Sequence, residues 1–228
     1  MRKKIFHWLG KEFVALSAEG KPSESAGAEA RRIFQRFDEE LRGLGLSLDN
    51  TVRSRLWGCD RESRDQGSVE RSKALSGKAR SASSSFISPG HFDSDAHVAL
   101  DLLAMRPSRA DAQKYLKEYE PAITPLRYLT FDSVVILSGV TAVLPTLEDQ
   151  MANILPRIEG SLKDAGSSWE RAVKASFLLH RSQKFETFNQ LFQKRSKQGF
   201  LRWNIIMSTA IPPKENSSRS KSQQRCKS

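Results

Sequence analysis

The amino-acid sequence is poor in the residues that most often bind metals. It has two cysteines and four histidines among 228 residues. Cys59 and Cys226 are too few for a structural zinc site or for a disulfide framework. No HxxxH or CxxC pair occurs either. We therefore expect neither a metal ion nor another cofactor.

Long apolar runs are also missing. Nothing approaches the roughly 18 consecutive apolar residues that a transmembrane helix needs, so we expect no membrane association. The first twenty residues open with basic side chains, but His7, Lys11 and Glu12 interrupt the apolar run that follows. Because a secretory signal peptide needs an unbroken apolar region, we expect a cytoplasmic protein.

Positive charge is abundant and unevenly distributed. The net charge is +11, and residues 51–80 contain eight Lys/Arg against four Asp/Glu. Residues 181–202 contain six against one, and residues 211–228 contain five against one. Such local excess favours anionic partners, which include carboxylate or phosphate metabolites and nucleic acids. The polar, serine-rich residues 212–228 are typical of a disordered basic tail.

An internal repeat relates the two halves of the chain at an offset of 121 residues. The segment EFVALSAEG (12–20) aligns with SVVILSGVT (133–141), which places Ser17 on Ser138. The same offset pairs Gly45 with Gly166, and each glycine follows an amphipathic helical pattern. Apolar residues recur there at spacings of three and four, as on one face of a helix. In the first half they are Ala30, Ile33, Phe34, Phe37, Leu41 and Leu44, and in the second Met151, Ile154, Leu155, Ile158, Leu162 and Ala165.

Each half is predicted to be an α+β unit. Apolar segments predict strands at residues 13–17, 51–57, 81–87 and 97–105 in the first half, and at 134–138, 172–179 and 203–211 in the second. Proline and charge replace the apolar periodicity at residues 106–125. We therefore predict unit 1 at residues 1–107, a linker at 108–125, and unit 2 at 126–211, which lacks its last strand.

Several short motifs in this order resemble the Rid/YjgF family of reactive-intermediate deaminases, long named endoribonuclease L-PSP. They are ARS (79–81), VALDLLA (98–104), LSG (137–139), AGSSWERAVK (165–174) and FNQLF (188–192). The resemblance covers roughly 200 residues as two tandem copies. It implies a chorismate-mutase-like fold in each unit, with a mixed sheet and two helices packed on one face. Single-domain members form trimers with clefts between subunits, so self-association is expected.

The resemblance also implies a candidate site. By motif match, Arg80 would hold the substrate carboxylate and Asp101 would be the catalytic carboxylate. Ser138, Gly139, Asn189 and Arg202 would complete the substrate-binding set. A guanidinium does bind a carboxylate through two parallel hydrogen bonds, which lysine cannot reproduce. If the strands that carry them are adjacent, Arg80 would be the natural ion-pair partner of Asp101.

Each of these candidate residues also has an explanation that involves structure alone. Arg80 could be a solvated arginine at a strand start, and Asp101 an edge-strand aspartate that faces water. Asn189 could be a helix-start residue. Ser138 and Gly139 could only shape a strand end.

Three functions are compatible with these features. The first is hydrolysis of reactive enamine or imine intermediates to keto acids and ammonia. The second is non-catalytic or regulatory binding of a carboxylate-bearing metabolite. The third is interaction with RNA, for which the sequence contains positive charge but no RNA-binding motif. An imine is already electrophilic, so its hydrolysis requires orientation, water and a proton shuttle rather than a metal ion.

Overall fold

The computed structural model describes residues 1–22, 25–88, 92–123, 125–180, 182–195 and 203–208. These residues form two units, residues 1–139 and residues 140–208. Within the described ranges, no helix combines the length and the apolar character needed to cross a membrane.

The described part of unit 1 contains eight strands and two α-helices. In chain order they are β1 (Arg2–Trp8), β2 (Lys11–Glu19), α1 (Ala26–Gly43), β3 (Thr51–Gly58), α2 (Arg61–Ala74), β4 (Ala82–Ile87), β5 (Val98–Arg106), β6 (Lys114–Lys117), β7 (Tyr128–Phe131) and β8 (Val134–Leu137). Both helices begin at a side-chain cap. Ser25 Oγ accepts a hydrogen bond from Ala28 N, and Asp60 Oδ1 accepts one from Ser63 N. Such caps satisfy amide groups that have no partner inside the helix.

Strands β1 to β5 form one five-stranded sheet, in which their order is β1-β2-β5-β3-β4. Strand β5 is therefore central, antiparallel to β2 on one side and to β3 on the other. Strand β4 is parallel to β3. Because side chains alternate between the two faces of a strand, each strand contributes to both layers of the unit.

One face of this sheet packs against α1 and α2. Phe37 and Leu41 of α1 are fully buried there, together with Leu16 of β2 and Leu100 and Leu102 of β5. Full burial of each such side chain stabilises the fold by roughly 1.5–3 kcal/mol. The spacing of the apolar residues in α1 thus predicted the face on which the helix packs.

The opposite face is partly covered by a second sheet of three antiparallel strands, β6-β7-β8. Its apolar residues, among them Leu129 and Phe131, pack with Phe13, Leu103 and Met105 of the first sheet. Buried contacts between the two sheets explain why residues 108–139 belong to unit 1.

Unit 2 contains α3 (Leu147–Asp164), β9 (Ala175–His180), α4 (Phe185–Arg195) and β10 (Trp203–Ser208). Strands β9 and β10 are parallel, as β3 and β4 are in unit 1. Phe188 and Phe192 of α4 are buried with Met151 and Leu155 of α3. These side chains form the core of the unit.

The α+β class is confirmed, and unit 1 has the mixed sheet with two helices on one face. The predicted boundary differs from the one observed. Residues 108–125 were assigned to a linker, yet β6 lies within them, and the division between units follows Gly139. Helix α3 begins and ends 121 residues after α1, and β10 begins and ends 121 residues after β4. This spacing agrees with a tandem copy, which stays a prediction.

Candidate anion-binding site

A row of polar side chains crosses the first sheet on the face opposite the helices. Asp101 lies in register between Ser17 of β2 and Arg55 of β3. Arg55 in turn lies beside Ser84 of β4. Their neighbours in sequence, such as Leu16, Leu100 and Leu102, point to the helices instead. Alternation along three strands therefore places this row on the second face.

The same face has a cavity of about 330 Å³ whose lining is strongly basic. Arg2, Lys3 and Lys4 of β1 and Arg53 and Arg55 of β3 line it, and all of these except Lys3 belong to the face opposite the helices. Among the described residues that form its wall, Asp101 is the one acidic side chain. The local excess of positive charge favours an anionic occupant.

Asp101 and Arg55 form the central ion pair of the cavity. Arg55 Nη2 donates a hydrogen bond of 2.6 Å to Asp101 Oδ2. The two side chains are 28% and 26% exposed, respectively. Arg55 Nε is buried and has no hydrogen-bond partner in the described part of the chain. The guanidinium of Arg55 also lies over the ring of Trp57, 5.1 Å from its centroid.

Arg53 differs from Arg55 because its charge is not neutralised by a direct contact. Within the described residues it makes no ion pair and no side-chain hydrogen bond. Burial and then the positive charge of Arg55 lower the pKa of Arg53, which Asp101 opposes in part, and the resulting pKa is about 10. A bound anion would stabilise the charged form of Arg53, which burial destabilises.

Arg80 and Asp101 are not ion-pair partners. Strand β3 separates β4, which Arg80 precedes, from β5, which carries Asp101. Arg80 instead forms a two-point ion pair with Glu118, in which Nη2 and Oε2 are 3.2 Å apart. The expected pairing was wrong because it depended on strand order, which the sequence did not determine.

Ser138 and Gly139 lie against β4. Ser138 Oγ accepts a hydrogen bond of 3.2 Å from Ser83 N, and Gly139 N donates one of 3.1 Å to Ser83 O. A Cβ atom added to Gly139 would lie 3.1 Å from the Cβ of Ser84, the register partner of Arg55. Both residues thus lie beside the row that contains Asp101.

The remaining two site candidates, Asn189 and Arg202, belong to the second half of the chain. Asn189 lies on α4 in unit 2, where its side-chain oxygen is 3.5 Å from Gln193 Nε2. Arg202 lies outside the described residues. Their assignment to substrate binding stays a prediction.

Arg53 and Arg55 are functional candidates that the motifs did not identify. The signal was present in the strand TVRSRLWG, where arginine alternates with Ser54 and the buried Leu56. Such alternation predicts two arginines on one face of a strand. Across the described ranges, no group of three or more His, Cys, Asp or Glu residues could hold a metal ion.

Comparisons with known proteins give matches among solved structures. No protein-family model and no curated protein matches the sequence. A member of the YjgF/YER057c/UK114 family from Mycobacterium tuberculosis is 19% identical, with a TM-score of 0.38, over 41% of this chain and 79% of that one. Yeast Mmf1 is 16% identical, with a TM-score of 0.37, over 42% and 84%.

A third match is a member of the YjgF protein family from Neisseria meningitidis. It is 10% identical, with a TM-score of 0.39, over 48% of this chain and 98% of that one. The chain is thus similar to solved structures that are described as members of this family. Each match covers less than half of this chain.

Proposed function

We propose that this chain binds a small carboxylate-bearing metabolite in the basic cavity of the first sheet. The observation that carries the proposal is the arrangement around Asp101, where one carboxylate is surrounded by four basic residues of the same face. Arg53 is the primary anchor, because its guanidinium has no anionic contact of its own in the described structure. Arg55 is the second anchor, since it lines the same cavity two residues along β3 and is partly exposed.

The ligand's carboxylate would replace water at Arg53 without breaking an existing ion pair. At Arg80, by contrast, a ligand carboxylate would have to displace Glu118 from a two-point contact. Charge-assisted hydrogen bonds to a carboxylate are roughly twice as strong as neutral ones. The cavity is therefore a better carboxylate site than the loop that contains Arg80.

Calorimetric titration with pyruvate, a simple 2-keto acid, tests this function. We expect binding that weakens as salt is raised and that is lost in Arg53→Met. The matched control is Arg109→Met, because Arg109 is 72% exposed and does not line the cavity. Equal affinities for the wild type and Arg53→Met, or no binding at all, would reject the proposal.

Hydrolysis of enamines or imines is a second candidate, favoured by the presence of Asp101 in the same cavity. The substrate carboxylate would lie on Arg53, and a water held by Asp101 would attack the imine carbon. Loss of the amine then gives a keto acid and ammonia. A carboxylate placed in this way can take up the proton of the attacking water.

Ammonia release from enzymatically generated 2-aminoacrylate tests this reaction. We expect release to exceed that in buffer, and we expect Asp101→Asn and Arg53→Met each to abolish the acceleration. Retained activity in Arg53→Met together with loss in Arg80→Ala would return the carboxylate-binding role to Arg80. Wild-type release equal to that in buffer would leave ligand binding without turnover.

A further inference from the structure

An aromatic pair lies next to the basic cavity on the same sheet face. Trp57 follows Arg55 by two residues on β3, and Phe86 is its register partner on β4. The planes of the two rings are inclined by 34°, and their centroids are 5.6 Å apart. Both side chains are partly exposed. Flat apolar rings at the border of a cationic cavity are a stacking surface for a planar ligand group.

The positive charge of the cavity indicates that the ligand carries an anionic group beside its planar group. Five basic residues line the cavity, of which Lys3 is paired with Glu40, so the other four against Asp101 leave an excess of three positive charges. A single carboxylate would neutralise one of them, whereas a phosphate monoester carries nearly two negative charges at pH 7. Arginine forks suit phosphate as well as carboxylate, because both present pairs of oxygens.

The distances along β3 set the spacing of the two groups. The Arg55 guanidinium lies 5.1 Å from the centroid of the Trp57 ring. Two residues along a strand span roughly 7 Å, so the backbone of Arg53 lies roughly twice that distance from Trp57. A ribose joins a nucleobase to its 5′-phosphate over a comparable span. A cavity of about 330 Å³ is at the small end of ligand sites, which suits one nucleotide.

We propose that the ligand of this cavity is a nucleoside monophosphate, with its base stacked on Trp57 and Phe86 and its phosphate on Arg53 and Arg55. This inference rests on the proposed function, because it names the class of anion that the same site binds. It extends that function by giving a role to the aromatic pair, which a simple keto acid would not contact.

The test compares AMP with ribose 5-phosphate, which has the same phosphate and sugar but no base. Stacking of a base on an aromatic side chain contributes about 1–3 kcal/mol. We therefore expect the wild type to bind AMP at least about fivefold more tightly than ribose 5-phosphate. In Trp57→Leu this preference should disappear, so that AMP and ribose 5-phosphate bind with equal affinity.

Two further variants test whether the preference for AMP depends on the aromatic ring of Trp57. Trp57→Phe keeps a flat ring and should retain part of the preference, which also covers the case that Trp57→Leu does not fold. Tyr115→Leu removes an exposed aromatic ring that does not line the cavity, and it should leave both affinities unchanged.

The binding measurements distinguish failure of the nucleotide proposal from failure of the anion site. Equal affinities for AMP and ribose 5-phosphate in the wild type would overturn the nucleotide inference and leave anion binding intact. A preference that survives Trp57→Leu would overturn it as well. Binding of single-stranded RNA without binding of AMP would replace the nucleotide with a nucleic acid. Absence of binding for pyruvate and ribose 5-phosphate alike would reject the anion site itself.

Discussion

Replacing Asp101 by asparagine should destabilise the chain and strengthen anion binding at the same time. The change removes the negative charge that Arg55 Nη2 contacts at 2.6 Å, with almost no change in side-chain volume. Exposed ion pairs contribute about 0–1 kcal/mol, and breaking a fully buried pair costs about 3–5 kcal/mol. Both side chains here are about one quarter exposed, so solvent screens the pair in part. We expect a loss of about 2 kcal/mol in the free energy of unfolding.

Urea unfolding followed by circular dichroism measures this loss, with Asp111→Asn as the matched control. Asp111 also pairs with an arginine, Arg109, but the two side chains are 75% and 72% exposed. Its substitution should cost less than about 1 kcal/mol. Equal losses in the two variants would refute the reasoning that partial burial strengthens the Arg55–Asp101 pair.

The same variant should bind phosphate more tightly. One unit charge about 4 Å from another contributes roughly 1 kcal/mol even in water, which corresponds to about a fivefold change in affinity. Because Asp101 repels an anion in the cavity, Asp101→Asn should bind ribose 5-phosphate about fivefold more tightly than the wild type does. Weaker binding would show that the Asp101 carboxylate organises the site rather than opposing the ligand.

Four further predictions concern the stability of unit 1. Gly58→Ala should cost more than about 2 kcal/mol, because a Cβ atom there would lie 2.4 Å from a backbone nitrogen of α2. Gly43→Ala, at an exposed helix position with nothing within 4 Å, should instead stabilise by up to about 1 kcal/mol in the same urea assay. Burial lowers the pKa of Lys114 to about 8, so the unfolded chain binds more protons between pH 8 and 10.5. Wild-type stability should therefore rise across that interval relative to Lys114→Met, by no more than about 3 kcal/mol. Hydrogen bonds, first from Arg31, lower the pKa of Glu70 to about 2, so its stabilisation should be complete above about pH 4.5 and decline towards pH 2. Glu70→Gln should lack this decline in an acid-unfolding series.

Features set by local patterns could be predicted from the sequence. The apolar residues of α1, from Ala30 to Leu41, are buried as their spacing indicated. Gly45 and Gly166, expected after the helices, have φ values of 68° and 66°. Only glycine adopts this left-handed backbone without strain, and its position in the sequence identifies the helix end.

Features set by strand order could not be predicted in the same way. The partner of Asp101 depends on which strand lies beside β5, and this order is determined by contacts between distant segments. Strand β6 was missed because KYLK is short and lies in a segment rich in charge and proline. Its role depends on packing with Met105 and Phe13, which are far away in sequence.

The pairing of β9 with one strand has a consequence for how unit 2 behaves at high concentration. In unit 1, strand β3, which pairs in parallel with β4 as β9 does with β10, has neighbours on both sides. Among the described residues, β9 pairs with β10 alone. A strand edge of this kind exposes amide and carbonyl groups that can pair with another chain. Hydrogen exchange should therefore be faster in β9 than in β3, and it should slow as the protein concentration rises.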